Sequence, residues 1–176
     1  MFNKIIDDAK SKLLKEGKID SCAILIRKSA SPLIIDFDTS PENKEDEFIA
    51  LKLLCQAEGA IGLALIAEAW MTLGKSSADD YLKGILPSQS KNRREVLMIS
   101  YADAEGVQSV KTYEIVRTDG RVSDFDDISI SMALPGLSIE GSMSEIFSAS
   151  DLKGSEKKKL RDTAMKIRKK NRKGRG

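Results

Sequence analysis

Apolar residues recur along the chain with two periods, and the changes of period predict the order of helices and strands. Over residues 2–16 they recur with helical spacing, and Gly17 follows where a C-cap glycine belongs. A second helix is predicted from Ser40, a potential N-cap residue followed by proline, to about Glu58, with Gly59 ending it. Two amphipathic helices are therefore expected in the first third of the chain.

Strand-like patterns separate and follow these helices. Residues 21–28 and 32–38 are rich in Ile and Leu and are joined by a Ser- and Pro-containing turn, which predicts a β-hairpin. If residues 60–72 form a strand, successive side chains lie on opposite faces, and both faces are largely apolar in its first part. This strand should therefore lie in the centre of a sheet.

A meander of antiparallel strands is predicted in the second half. Residues 94–102 and 108–117 flank a turn that contains Gly106, and Asp119-Gly120 suits a type I′ turn, in which both central residues have positive φ. Residues 128–134 alternate apolar and small side chains and predict an edge strand.

Two weaker local signals complete the pattern. Residues 74–92 are rich in Gly, Ser, Asp and Lys, which predicts a long loop with one helical turn near 78–83. Ser142 and Glu145 have the spacing of a capping box and predict a short helix.

The elements together predict an α+β fold. We expect a mostly antiparallel sheet of about five strands, with two or three helices packed on it. The length of 176 residues suits a single globular domain over residues 1–152 and a C-terminal tail over 153–176, either helical or disordered.

Charge divides the chain more sharply than its net value of +2 suggests. Residues 153–176 contain twelve Lys or Arg against Glu156 and Asp162, a net of +10, so residues 1–152 carry 17 basic against 25 acidic side chains, a net of −8. Such asymmetry predicts a tail with its own electrostatic role.

The tail also has a helical pattern. Leu160, Ala164 and Ile167 form a narrow apolar stripe behind Ser155, a potential N-cap, while residues beyond Asn171 are expected to be flexible. The basic side chains around this stripe are the candidate nucleic-acid contacts: Lys157, Lys158, Lys159, Arg161, Lys166, Arg168, Lys169, Lys170, Arg172, Lys173 and Arg175.

Four partners remain open for this tail. Nucleic acid is favoured, because neutralised phosphates release counterions and such binding needs little shape complementarity. An anionic membrane surface is disfavoured, because the apolar stripe is thin and no aromatic residue accompanies it. The acidic body or an acidic partner protein is a third alternative, and a solvated tail without a partner is the fourth.

Composition excludes several kinds of active site. The chain has no histidine, which removes His-dependent nucleophiles, His-ligated zinc and imidazole bases. No Walker A sequence or G-x-G-x-x-G occurs, and no cofactor is predicted.

Cys22 and Cys55 are expected to be buried thiols, with a disulfide as the alternative. No apolar run is long enough to span a bilayer and no export signal is present, so a cytoplasmic location is expected.

One metal-site hypothesis survives this exclusion. Asp36 and Asp38 alternate at the end of a predicted strand, Glu68 lies on an apolar strand, and Glu42 and Lys44 form an E-x-K. The set resembles the Asp and E-x-K pattern of metal-dependent nucleases, whose carboxylates hold Mg²⁺. The competing interpretation is helix capping, because E-x-K falls in the first turn predicted for the second helix.

A second candidate surface combines one acid with three aromatic side chains. The members are Glu68, Trp70, Tyr101 and Tyr113. They suit contact with a ligand or a partner protein if they meet across the sheet. The alternative is that Trp70 lies at the rim of the core and Glu68 pairs with an arginine such as Arg94 or Arg117.

The acidic run Asp124, Asp126 and Asp127 is expected in a solvated turn, since the glycine and distal glutamate of a calcium loop are absent.

The sequence therefore predicts a non-enzymatic interaction module with an electrostatic anchor, most simply for nucleic acid. A metal-dependent phosphodiesterase using Asp36, Asp38 and Glu68 is the alternative from another class. A homo-oligomeric subunit of a larger assembly, with a covered sheet edge, is the third alternative.

Overall fold

A computed structural model describes residues 1–38, 40, 42–72, 75–128, 147 and 152–173. The first two helices, the hairpin, the central strand and the first two meander strands follow in the predicted order. The helix over 75–82 is longer than the single turn predicted there, and the strand over 121–127 was not predicted. The elements are α1 (Phe2–Glu16), β1 (Cys22–Arg27), β2 (Leu33–Asp36), α2 (Lys44–Glu58), β3 (Ala60–Met71), α3 (Lys75–Leu82), a 3₁₀ turn (Pro87–Gln89), β4 (Arg94–Asp103), β5 (Gln108–Thr118), β6 (Arg121–Asp127) and α4 (Gly154–Lys173).

The strands form one mostly antiparallel sheet in the order β2-β1-β3-β4-β5-β6, so the predicted α+β fold is confirmed, with six strands instead of about five. The predicted hairpin is present, and Cys22 lies opposite Asp36 in its register. β3 lies inside the sheet between β1 and β4, as its two apolar faces indicate. The predicted strand over 128–134, from its second residue on, and the capping box at Ser142 lie outside the described residues.

The acidic run is in a strand, so the expected turn was wrong, although its aspartates are exposed as expected. Asp119 and Gly120 have φ values of 52° and 77°, which is the conformation that a type I′ turn requires. This turn directs the chain back along β5, and Asp126 then lies opposite Glu114 while Phe125 lies opposite Ile115. Backbone pairing and apolar cross-strand contact therefore outweigh the low strand preference of aspartate.

α2 begins later than its serine signal predicts, because an aspartate organises the preceding turn. The Asp38 carboxylate accepts hydrogen bonds from the Ser40 backbone N–H and the Asn43 side chain, both at 2.9 Å. The Ser40 carbonyl in turn accepts the backbone N–H of Lys44 at 3.0 Å. The helix ends as predicted at Gly59, whose φ of 60° is left-handed.

The described residues belong to two compact units. One holds residues 1–20, 66–99 and 110–128, and its core includes Leu13 of α1 and Val96 of β4. The other holds residues 21–65, 100–109, 147 and 152–173. No helix of the described part is long and apolar enough to cross a bilayer.

The basic helix α4 contributes to the core of the second unit. Ala164 is fully buried in a cluster with Leu51, Leu54 and Leu63, and Ile167 packs against the same cluster. The apolar stripe predicted for the tail is therefore the face that α4 packs against α2. Met165, the next residue, is 54% exposed.

We expect the Ala164→Leu variant to be less stable by about 1–3 kcal/mol, because the site is fully buried and added methyl groups force its neighbours apart. The matched control is Met165→Leu, which changes an exposed position on the same turn and should alter stability by less than about 0.5 kcal/mol. Urea unfolding followed by circular dichroism measures both. Equal stability of the two variants would show that α4 is not packed on α2 in solution.

Candidate nucleic-acid interface

α4 is held along α2 by charged contacts at both ends of their interface. Arg161 of α4 pairs with Glu58 at the end of α2, and Arg168 pairs with Glu47 in its first turn. The two helices therefore run antiparallel. The basic end of α4 lies beside the acidic start of α2, a placement that both helix dipoles favour.

Arg168 lies in a buried polar cluster. Its Nε donates to Glu47 Oε2 at 3.2 Å, and its terminal nitrogen donates to the Asp36 backbone carbonyl. Asn171 approaches the other oxygen of Glu47 at 3.5 Å. Arg168, Glu47 and Asn171 are each at most 9% exposed. A buried charge of this kind persists only with a partner, so the pair defines how α4 docks.

The Glu58 carboxylate forms ion pairs with two arginines from different elements. Arg27 of β1 donates to one carboxylate oxygen at 3.0 Å, and Arg161 approaches the other at 2.7 Å through its terminal nitrogen. The Glu58 side chain is 11% exposed, whereas that of Arg161 is 52% exposed. Arg161 therefore holds α4 while part of its guanidinium group stays accessible to solvent.

Five lysines remain on the outer side of α4. They are Lys158, Lys159, Lys166, Lys169 and Lys170, and all are exposed. We call them the lysine face. The face extends from Lys158 to Lys170, a rise of about 18 Å along the helix. One acid, Asp162, is also exposed within this range.

The other predicted tail contacts differ from the lysine face. Lys157 is only partly exposed, and Arg161 and Arg168 take part in docking. Arg172 and Lys173 continue the helix. Their side chains and the whole of Arg175 lie outside the described residues. The sequence therefore located the basic element but could not separate its docking arginines from its exposed lysines.

A shallow groove borders the docked side of α4. It has a volume of about 280 Å³ and lies between β2 and α4, with Ile34 and Met165 on its walls. These two side chains are 67% and 54% exposed. Arg161 and Arg168 line the groove as well, but both form ion pairs with α2.

The four residues of the predicted partner surface occupy different environments. Tyr113 is 6% exposed, and the Lys10 ammonium group lies 3.4 Å from its ring centroid. Trp70 is 43% exposed, and the Arg93 guanidinium group lies 4.6 Å from its ring centroid. Tyr101 belongs to the second unit and donates a hydrogen bond to Asp103 at 3.2 Å.

Glu68 takes part in a polar cluster with a second carboxylate. It accepts the Ile19 backbone N–H and interacts with Glu95, whose two oxygens bind Arg117 at 2.6 and 2.7 Å. Arg117 also donates to the Gly17 carbonyl at 3.1 Å, which ties β5 to the end of α1. Arg117 was one of the arginines predicted to pair with Glu68, but its bidentate partner is Glu95.

The cluster shifts the pKa values of its two carboxyl groups in opposite directions. Burial is the main cause that raises the pKa of Glu68, and the nearby charge of Glu95 adds to it. The hydrogen bonds from Arg117 lower the pKa of Glu95. Ionisation of Glu68 is therefore less favourable in the folded protein than for an ordinary glutamate, whereas ionisation of Glu95 is more favourable.

The carboxylates of the metal-site hypothesis have other contacts. The Asp38 carboxylate caps the turn before α2, and the Glu68 carboxylate accepts the Ile19 backbone N–H. Asp36 contributes its backbone carbonyl, which accepts a hydrogen bond from Arg168. Across the described ranges, no three Asp, Glu or Cys side chains converge as metal ligands would. Cys22 and Cys55 are free thiols, and burial raises the pKa of Cys55 to about 12.

Comparison with known proteins gives no family assignment. No family model, curated protein or solved structure matches the chain. Functional inference therefore depends on the contacts and charges described above.

We expect Arg168→Met to destabilise the protein by about 3–5 kcal/mol, because Glu47 would remain buried without its ion-pair partner. Lys169→Met, the exposed neighbour, is the matched control and should change stability by less than about 0.5 kcal/mol. Urea unfolding gives both values. Adding Glu47→Gln to Arg168→Met should recover part of the loss, and absence of any recovery would contradict a direct pair.

We expect Glu68→Gln to gain stability over the wild type as pH rises. The pKa of Glu68 is higher in the folded protein than in the unfolded chain, so folding favours its protonated form. Wild-type stability therefore falls as pH rises from the pKa of the unfolded chain through the pKa of the folded protein. Glutamine keeps an oxygen for the Ile19 N–H and has no charge. Urea unfolding between pH 4.5 and pH 8 measures the difference.

The control for this series is Glu105→Gln, an exposed acid in the turn between β4 and β5. It makes the same substitution outside the cluster, and its stability over the same pH range is the reference for Glu68→Gln. A constant difference from the wild type for Glu68→Gln would contradict the raised pKa of Glu68.

Proposed function

We propose that the protein is a non-enzymatic interaction module that binds nucleic acid through the lysine face of α4. The observation that carries this proposal is the division of basic side chains on one helix. Arg161 and Arg168 bind carboxylates of α2, while the five lysines point away from the docked side and stay exposed. Lysine is a mobile point charge suited to phosphates in many positions.

The arrangement of the lysines supports a partner with regular negative charge. Lys166 lies three and four residues before Lys169 and Lys170, so like charges are neighbours on the helix surface. Such pairs destabilise a helix by about 0.2–0.5 kcal/mol each. A row of phosphates removes this repulsion and gains counterion release, so binding would stabilise the helix.

The charge of the remaining chain supports the lysine face as the main site of electrostatic attachment. Residues 1–152 carry a net charge of −8, which repels a polyanion. The lysine face is thus the favourable approach for nucleic acid. An acidic protein would be attracted to the same face, and an oligoglutamate of matched charge represents it.

We expect replacement of the lysine face by five glutamines to weaken binding and to reduce its salt dependence. For duplex DNA, log affinity falls with log salt by about 0.9 for each phosphate contacted, so the slope should decrease by up to about 4.5. Fluorescence anisotropy with labelled duplex DNA and single strands, between about 50 and 300 mM salt, measures this slope.

The matched control carries the same change of charge at exposed lysines outside α4: Lys12, Lys15, Lys18, Lys28 and Lys83. It should keep nearly the wild-type slope. Substitution is preferable to truncation before α4, because loss of Ala164 would open the core of the second unit. Equal weakening by both sets, or tighter binding of an oligoglutamate of matched charge, would contradict the proposal.

A further inference from the structure

Trp70 and Arg93 form an exposed pair in the first unit, at the end of β3 and just before β4. The Arg93 guanidinium group lies 4.6 Å from the ring centroid of Trp70, which is the geometry of a cation–π contact. Trp70 is still 43% exposed. Since Arg93 covers one part of the indole, the remaining ring surface is available to another planar group.

The position of Arg93 is restrained by a second contact. One terminal nitrogen donates to the Ser88 backbone carbonyl at 2.6 Å, so the guanidinium group is held at both the ring and the loop before β4. A pre-positioned side chain loses less conformational freedom when a ligand binds. The pair is therefore ordered before any ligand arrives.

The loop that carries Arg93 also contains an exposed lysine. Lys91 and Asn92 are exposed in the same loop, whereas Arg94 is paired with Glu114 at 2.5 Å. Lys91 and Arg93 thus supply the charge, and Trp70 supplies an aromatic surface. Aromatic side chains within a basic surface are the usual means of holding single-stranded nucleic acid.

We propose that Trp70 and Arg93 form a base-stacking site for single-stranded nucleic acid. A nucleobase stacks on the exposed indole, while Arg93 and Lys91 attract the adjoining phosphates. Such stacking tolerates any base, because every base has a π-face. Bases within a duplex already stack on each other, so the site prefers single strands over duplexes. This inference deepens the proposed function, and it rests on nucleic acid being the partner.

Trp70 is the only tryptophan in the chain, so tryptophan emission, excited at a wavelength that tyrosine does not absorb, reports this site alone. Oligo(dT) and oligo(U) are titrated into the full-length protein, with duplex DNA of equal length as the comparison. We expect both single strands to quench the tryptophan emission, and the duplex to quench it little. Anisotropy of labelled strands in the same samples measures total binding, whichever surface is used.

Substitutions test whether the pair contributes affinity. Trp70→Leu should weaken single-strand binding about 5- to 100-fold, the range expected for one stacked base, and leave duplex binding unchanged within about twofold. Arg93→Gln should also weaken single-strand binding. Arg121→Gln, which removes an exposed arginine of β6, is the matched control and should have little effect. Circular dichroism and the Tm of each variant verify folding.

The outcomes separate this inference from the proposed function. Binding by anisotropy without quenching, together with unchanged single-strand affinity of Trp70→Leu, would overturn the stacking site and leave the lysine face intact. Quenching that persists when the five lysines of α4 are replaced by glutamine would support the stacking site and count against the lysine face. Absence of binding to every strand at 50 mM salt would overturn both.

Discussion

The buried pair of Arg168 and Glu47 is the constraint on which the second unit depends. Glu47 is 3% exposed, and Arg168 reaches it from a helix far along the chain. A buried carboxylate without a partner is strongly unfavourable, so α4 must dock for α2 to keep its place. Docking in turn buries Ala164 within the leucine cluster of α2 and β3. The charge pair and the apolar contact specify the same position of the helix.

This docking gives the two kinds of basic residue different tasks. Arginine presents a rigid planar fork that suits carboxylates and carbonyl groups in a confined space, and both docked basic residues with described contacts are arginines. Lysine carries a hydrated charge on a flexible stem and remains on the outer side. One helix can thereby be part of a core and still present a polycationic surface.

A second polar cluster has a comparable structural role in the first unit. Arg117 joins Glu95 of the neighbouring strand to the Gly17 carbonyl at the end of α1. Glu68 lies at this cluster with a raised pKa, yet its contacts are those of a structural group. Trp70, on the same strand as Glu68, and Arg93, just before β4, form an exposed pair in the same unit without an ion pair to a carboxylate among the described contacts. This pair is therefore the better candidate for contact with a ligand.

Local pattern alone determined most of the secondary structure. Period-2 and helical apolar spacing, with glycine at left-handed positions such as Gly17, Gly59 and Gly120, define elements through contacts between near neighbours. Tertiary structure decided which charged residues are docked, because Arg168 and Glu47 are 121 positions apart. It also placed the acidic residues of 124–127 on a strand through pairing with β5. The spacing of residues along the chain predicts which side chains share one face of a helix or strand. Which other element packs against that face depends on contacts between distant residues, and these form only in the folded protein.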